Sequence, residues 1–254
     1  MQTEQAVEYN EPTLEERPAA RGVNKRTVMA AFLILVMIPA TMFFGITVMN
    51  DRQYYLISML IIACSFLPFI MVFERRRPQA RELMVIAVMV AITVAGRAAF
   101  FMLPQFKPLV AIVIIAAVSF GPEAGFLTGA VATFVSNFFF GQGPWTPWQM
   151  FACGIIGFIA GLLFKEGRLP KNRVIICVYG GLATLLIYGV LLNFASLIMW
   201  TSEINKANLI AIYASGLPMD MVHAVASVIF LAVLADPMLE KLERIKIKYG
   251  LIER

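Results

Sequence analysis

Eight stretches of this chain run for a dozen to more than two dozen residues with scarcely a charge among them, and nothing else in the sequence constrains the fold so tightly. A bilayer core about 30 Å thick needs about 20 apolar residues in helix, because no water is available there to satisfy exposed backbone groups. The stretches fall at Thr27–Met49, Tyr54–Phe73, Leu83–Leu103, Pro108–Phe120, Ala124–Phe140, Trp148–Phe164, Val174–Trp200 and Leu209–Leu234. The last is interrupted by Ser215-Gly216-Leu217-Pro218, which predicts a break and a separate interfacial helix before it. Composition agrees: 60% of the 254 residues are apolar and 15% charged, against about 45–50% and about 25% in soluble domains. A disordered chain, a disulfide scaffold and a collagen-like repeat are excluded with the soluble fold. Cys64, Cys153 and Cys177 are an odd set, each inside an apolar run, and read as small buried hydrophobes.

The net charge of +5 acquires a meaning from its placement. If the N-terminus is cytosolic, seventeen of the twenty-one Lys and Arg residues fall in inner segments. These are the N-terminal tail, the Glu74–Glu82 hinge, the Lys165–Arg173 turn and the C-terminal tail. Only Arg52, Lys107 and Lys206 fall in outer loops, and Arg97 lies within a span. That asymmetry predicts a multi-pass protein of the cell membrane with both termini in the cytosol. The basic charge is then topology and lipid-surface attraction, not nucleic-acid binding. Residues 1–26 carry five Glu ahead of four basic residues, unlike a cleavable signal, and read as a poorly ordered polar cytosolic tail.

The spans are unequal. The two in residues 27–73 are nearly featureless, and a basic hinge sets this hairpin apart. Residues 81–239 hold nearly all the intramembrane polar groups and glycines, and residues 240–254 form a basic cytosolic tail. The fold class expected is therefore an all-α integral membrane protein, a six-helix core preceded by a two-helix transmembrane hairpin.

Several residues in the core are candidates for function. Arg97 is costly within a membrane and has two readings. It grips an anionic or carbonyl group of a ligand entering from outside, or it serves structure by snorkelling or by pairing with Asp220. Asp220 and His223 stand three apart on one helical face. His223, the chain's single histidine, reads as a packing residue or as part of a ligand-lining wall, and a lone imidazole argues against a metal site. The loop after the fifth span carries Asn137, Gln142, Trp145, Trp148 and Gln149 among turn-fixing Gly141, Gly143, Pro144 and Pro147. Its tryptophans belong to the interfacial aromatic belt, or with the amides form a lid over a flat or heterocyclic ligand. Stripes of small residues at every fourth position are internal packing or a docking surface. They comprise Ala87, Ala91 and Ala95, then Gly121, Gly125 and Gly129, then Gly157 and Gly161.

Absences narrow the function further. The sequence has no phosphate-cradling G-x-x-x-x-G-K-[ST], no H-E-x-x-H and no G-x-S-x-G, and no acid cluster or nucleophile–base pair for an intramembrane enzyme. Energy for uphill transport must come from a partner or an ion gradient. A gradient-driven secondary transporter would bury several carboxylates, and the core offers only Asp220 and Glu123.

On these residues the chain from Arg81 onward resembles the substrate-binding S components of energy-coupling factor (ECF) transporters. The resemblance rests on Ala87-x-x-x-Ala91-x-x-x-Ala95, on Phe120-Gly-Pro-Glu-Ala-Gly-Phe-Leu-Thr-Gly129 and on Ser136-Asn137. Gly143-Pro-Trp145-x-Pro-Trp148-Gln149-Met150 and Asp220-x-x-His223 complete it. It implies a six-helix protein, not an enzyme and without an intrinsic cofactor, that captures a vitamin from outside. A scaffold membrane subunit and two cytosolic ATPases then act as its partners. It implies that Arg97, Asn137, Gln142, Trp145, Trp148, Gln149, Asp220 and His223 line the substrate site, and that Ala87, Ala91 and Ala95 meet the scaffold. The loop most resembles cobalamin-associated members, so cobalamin is the expected ligand, with a queuosine-type precursor, riboflavin or another vitamin as alternatives. The extra hairpin at 27–73 departs from the usual S component, which begins with the alanine-bearing helix.

Overall fold

A computed structural model gives the architecture and describes residues 32–37, 39–40, 80–165, 167–201 and 205–249. The tail expected at 1–26, most of the hairpin at 27–73 and the last five residues lie outside the described residues. Apart from a short turn at Leu33–Met37, the described chain forms six helices and no strand. These are α1 (Ala80–Ala99), α2 (Leu109–Phe120), α3 (Pro122–Phe140), α4 (Thr146–Lys165), α5 (Arg173–Trp200) and α6 (Lys206–Tyr249). Four of them, α3 to α6, are long and apolar enough to cross a membrane, while α1 and α2 offer shorter apolar segments. Each of the six core stretches expected from the sequence overlaps a described helix.

The shortest helix sits at the centre. Leu109–Ser119 of α2 is apolar on every side until Ser119, and each of those residues is buried. A helix with no polar face has no surface to give to water. It packs against α1, α3, α4 and α6, and its apolar wall with Cys153, Ile156, Ile176 and Leu231 forms the main core. Gly121 turns the chain from α2 into α3 at φ 106°, a left-handed conformation that a Cβ strains, and Pro122 opens α3 where its missing N–H costs nothing.

Small residues decide which helices touch. A Cβ on Gly157 would stand 2.5 Å from the Gly125 carbonyl oxygen, and one on Gly129 would stand 2.6 Å from that of Cys153. The glycine stripes of α3 and α4 are therefore internal packing, backbone against backbone. The alanine stripe behaves differently. Ala87, Ala91 and Ala95 are exposed, while Ile86, Met89 and Thr93 on the other side of α1 are buried.

The antiparallel pair α5–α6 meets through Gly180 and Gly181, which face Leu231 and Val228. The Thr184 hydroxyl donates to Ser227 Oγ at 2.9 Å. At Thr184–Gly189 the coil of α5 widens into a π-helical turn, which sets Tyr188 against α6. The break expected at Ser215–Pro218 does not occur: α6 is continuous from Lys206 to Tyr249, with Pro218 and Pro237 inside it. Neighbouring chain holds the segment in place. Gly216 abuts Asn193, the Tyr213 hydroxyl donates to the Val190 carbonyl, and Asn193 Nδ2 donates to Asp220. Proline is tolerated in a spanning helix when such contacts support it. At about 1.5 Å per residue, α6 is far longer than the bilayer core, so residues 240–249 continue it as helix rather than forming a separate tail.

Candidate functional site

The site begins where α1 ends. Gly96 lets α1 approach the start of α2, since a Cβ there would meet Pro108 at 2.8 Å. Beside it, Arg97 Nη1 donates to Ser136 Oγ and, at 2.7 Å, to Asn137 Oδ1, both on α3. Its guanidinium rests over the Phe140 ring, 4.4 Å from the centroid, a favourable seat for a cation. The pairing with Asp220 left open by the sequence is not made. Asp220 accepts instead from Asn193 Nδ2 at 2.6 Å.

Asn137 is the hub of the arrangement. Because its Oδ1 receives Arg97, its Nδ2 is free to donate, and it does so to Gln149 Oε1 at 2.9 Å and Thr146 Oγ1 at 3.2 Å. Thr146 Oγ1 in turn donates to Gln142 Oε1 and accepts from the Gly143 N–H. Gln142 Nε2 donates back to the Phe134 carbonyl. One hydrogen-bonded network therefore ties the end of α1, the end of α3, the 141–145 turn and the start of α4. Asn137 and Gln142 use both ends of their amides to hold the turn, which is structured as its glycines and prolines predict.

A cavity of about 60 Å³ opens beside this network. Arg97, Gln149 and His223 stand on its wall, together with Gln105, Lys107, Thr133 and Tyr188. Leu109 and Cys153 close it off. His223 is 5% exposed, meets the Tyr188 ring edge-on at 4.7 Å, and its Nδ1 has no hydrogen-bond partner. The Lys107 ammonium lies 4.6 Å from the same Phe140 centroid that carries Arg97. Burial, and then the neighbouring Arg97 charge, push its pKa below the ordinary lysine value.

The other candidates stand off the wall. Asn137 is one bond behind it, between Arg97 and Gln149. Gln142 latches the turn, Trp145 packs its ring on Gly143, and Trp148 meets Phe194 edge-on at 6.1 Å. Asp220 faces α5. Sequence reasoning missed Gln105 and Lys107, which lie in a connecting segment, and Thr133 and Tyr188, which lie inside apolar runs. Nothing in the sequence marked Tyr188, whose neighbour Gly189 packs closely against Asp220 in the structure. Among the described residues, no three His, Cys, Asp or Glu side chains gather as a metal would require.

Basic side chains collect at the opposite end of the bundle. There Arg173 pairs with Asp236 at 3.5 Å, Lys165 donates to the Phe120 carbonyl, and Lys246 pairs with Glu243.

Comparison with known proteins gives the chain its relatives. A family model described as "ECF-type riboflavin transporter, S component" matches residues 78–241. A UPF0397 protein of Vibrio atlanticus is 32% identical over 116 residues, which cover 41% of this chain and 63% of that protein. UPF0397 proteins of Aliivibrio fischeri and Aliivibrio salmonicida are 34% and 35% identical over 100 residues, 37% of this chain and 52% of each relative. The chain therefore spans between about half and just under two thirds of the length of these curated relatives. No solved structure matches.

Proposed function

The chain belongs to the ECF-type riboflavin transporter S-component family, and from that premise we propose that it captures a vitamin-class solute in the cavity beside Arg97 and releases it through a scaffold subunit driven by ATPases. The family is one of transport subunits, so the protein is a membrane transport component and not an enzyme. The observation that carries the proposal is the division of small residues between two tasks. The glycines of α3 and α4 are consumed in packing, whereas Ala87, Ala91 and Ala95 leave a smooth exposed strip on α1. In a chain with no phosphate cradle of its own, such a strip supplies a place for an energised partner to slide against.

Orientation follows from charge. The cavity and the 100–108 and 141–145 segments share one end, and the basic residues gather at the other. Under the positive-inside rule the cavity end faces out, which suits uptake and keeps both termini cytosolic.

The wall favours a compact, acceptor-rich heterocycle of flavin size. Gln149, Thr133 and Arg97 offer hydrogen-bonding groups, and the Tyr188 ring offers an aromatic surface. Cobalamin is the second reading, carried by the sequence of the 136–150 loop. Sites for small molecules usually enclose about 300–1,000 Å³, well above the 60 Å³ seen here. Either solute therefore requires the cavity to widen.

The experiment is purification of the full chain from cells supplied with mixed vitamins, followed by absorption spectroscopy and mass measurement of whatever is bound. A flavin band supports the first reading and a corrinoid band replaces it with cobalamin. In membrane vesicles, uptake should require the scaffold and ATP hydrolysis. Uptake driven by an imposed proton or sodium gradient without any ATPase would overturn the S-component reading in favour of a secondary transporter.

A further inference from the structure

Two cations reach the cavity from different parts of the chain. Arg97 comes from α1 and Lys107 from the segment before α2, and both rest on the Phe140 ring, 4.4 and 4.6 Å from its centroid. Like charges on one cavity wall repel each other, the more so away from water. Beyond the Phe140 ring and the Ser136 and Asn137 oxygens, no counter-charge among the described residues offsets them. Among the described residues neither makes an ion pair, and no Asp or Glu stands on the cavity wall. Asp220, the acid one turn from His223, is turned to Asn193.

The hydrogen-bonding capacity is also unspent. Both Arg97 bonds to α3 leave from Nη1, so the rest of the guanidinium fork has no acceptor among the described residues. The buried His223 Nδ1, on the same cavity, has no partner. A half-buried pair of positive charges without a counter-charge is unfavourable until an anion arrives. A planar fork beside an ammonium suits the oxygens of a carboxylate or phosphate.

We propose that the cavity is an oxyanion site in which Arg97 and Lys107 together bind a carboxylate or phosphate group of the occupant, with His223 Nδ1 as a further polar contact. This rests on reading the cavity as the solute site, and it narrows the solute to one that carries such a group, as a flavin phosphate does and unmodified riboflavin does not. A free anionic solute and an anionic lipid headgroup share this chemistry.

Inorganic phosphate is the probe. The full chain in nonionic detergent is treated with an amine-acylating reagent, in phosphate or in chloride at equal ionic strength, and modification is read lysine by lysine by mass spectrometry. Phosphate should slow acylation of Lys107 several-fold relative to chloride and leave the exposed Lys206 and Lys241 unchanged. Arg97→Gln should remove the protection and Arg97→Lys should retain part of it. Equal protection by chloride, or full protection in Arg97→Gln, overturns the proposal. Should Arg97→Gln fail to fold, a second measurement stands in: phosphate should raise the Tm of the wild-type chain above its value in chloride, and Lys107→Gln should abolish that difference. An unchanged difference counts against the site. Repeating the acylation in phosphatidylcholine nanodiscs, with and without phosphatidylglycerol, separates the sources. Protection by phosphatidylglycerol alone assigns the anion to a headgroup, protection by phosphate alone assigns it to a solute, and protection by neither overturns the proposal. Loss of ATP-driven uptake with protection intact would sink only the S-component reading, and the reverse result would sink only the oxyanion site.

Discussion

At the scale of the residue, Asn137 shows how one side chain sets the state of several others. It is 1% exposed and connects Arg97 to Gln149. Replacing it with Leu strands a guanidinium and an amide at once, and unpaired buried groups cost about 1–3 kcal/mol each, more when charged. Asn137→Leu should therefore lower the Tm in detergent by more than Gln142→Leu, which frees only turn contacts, and should weaken solute binding as Arg97 loses its seat. Equal losses from the two variants would show that Asn137 is no hub. Lys107 carries a second prediction. A lowered pKa means that its ammonium loses a proton at lower pH than a free lysine does, near about 10.4. The pH profile of Lys107 acylation should therefore have its midpoint below that value, and Arg97→Gln, by removing the second cause of the shift, should move the midpoint back up. A midpoint at or above the free-lysine value contradicts the burial and charge effects together. The cost of Arg97 in the membrane was legible in the sequence. Its choice of Asn137 over Asp220 was not, because that choice depends on which way α6 faces.

At the scale of the element, glycine and alanine stripes look alike in sequence and separate only by environment. Gly157→Val places branched carbon against the Gly125 backbone, where a Cβ already meets oxygen at 2.5 Å. Backbone cannot yield as a side-chain tip can, so overpacking should cost about 1–3 kcal/mol or more, read as a lower unfolding temperature. Ala91→Trp lies on the exposed strip and should leave folding and solute binding intact while blocking uptake, because the ring stands where a partner would approach. Loss of binding in Ala91→Trp would mean that the strip is not a docking face. The continuity of α6 shows the limit of local signals in the other direction. Ser215-Gly216-Leu217-Pro218 predicts a break from propensity alone, yet contacts with Asn193 and Val190 on α5 carry the helix through.

At the scale of the whole molecule, every described cavity residue lies between Arg97 and His223, inside the stretch matched by the family. A chain lacking residues 1–79 should therefore fold and keep its solute affinity, measured by equilibrium binding on the purified protein. A large loss of affinity would give residues 1–79 a part in the site. By itself the sequence determined the solvent and the helical class, and it carried the expectations of six core spans, an orientation set by charge and a site in the outer loops. These follow from run length and from the positions of Lys and Arg, which need no knowledge of neighbours. The tertiary structure decided the rest: that the glycines pack inward while the alanines face out, that Arg97 binds α3, and that Lys107, Thr133 and Tyr188 reach one cavity. In a helix that is apolar all round, periodicity marks no inner face, so only the packed bundle fixes which residues meet.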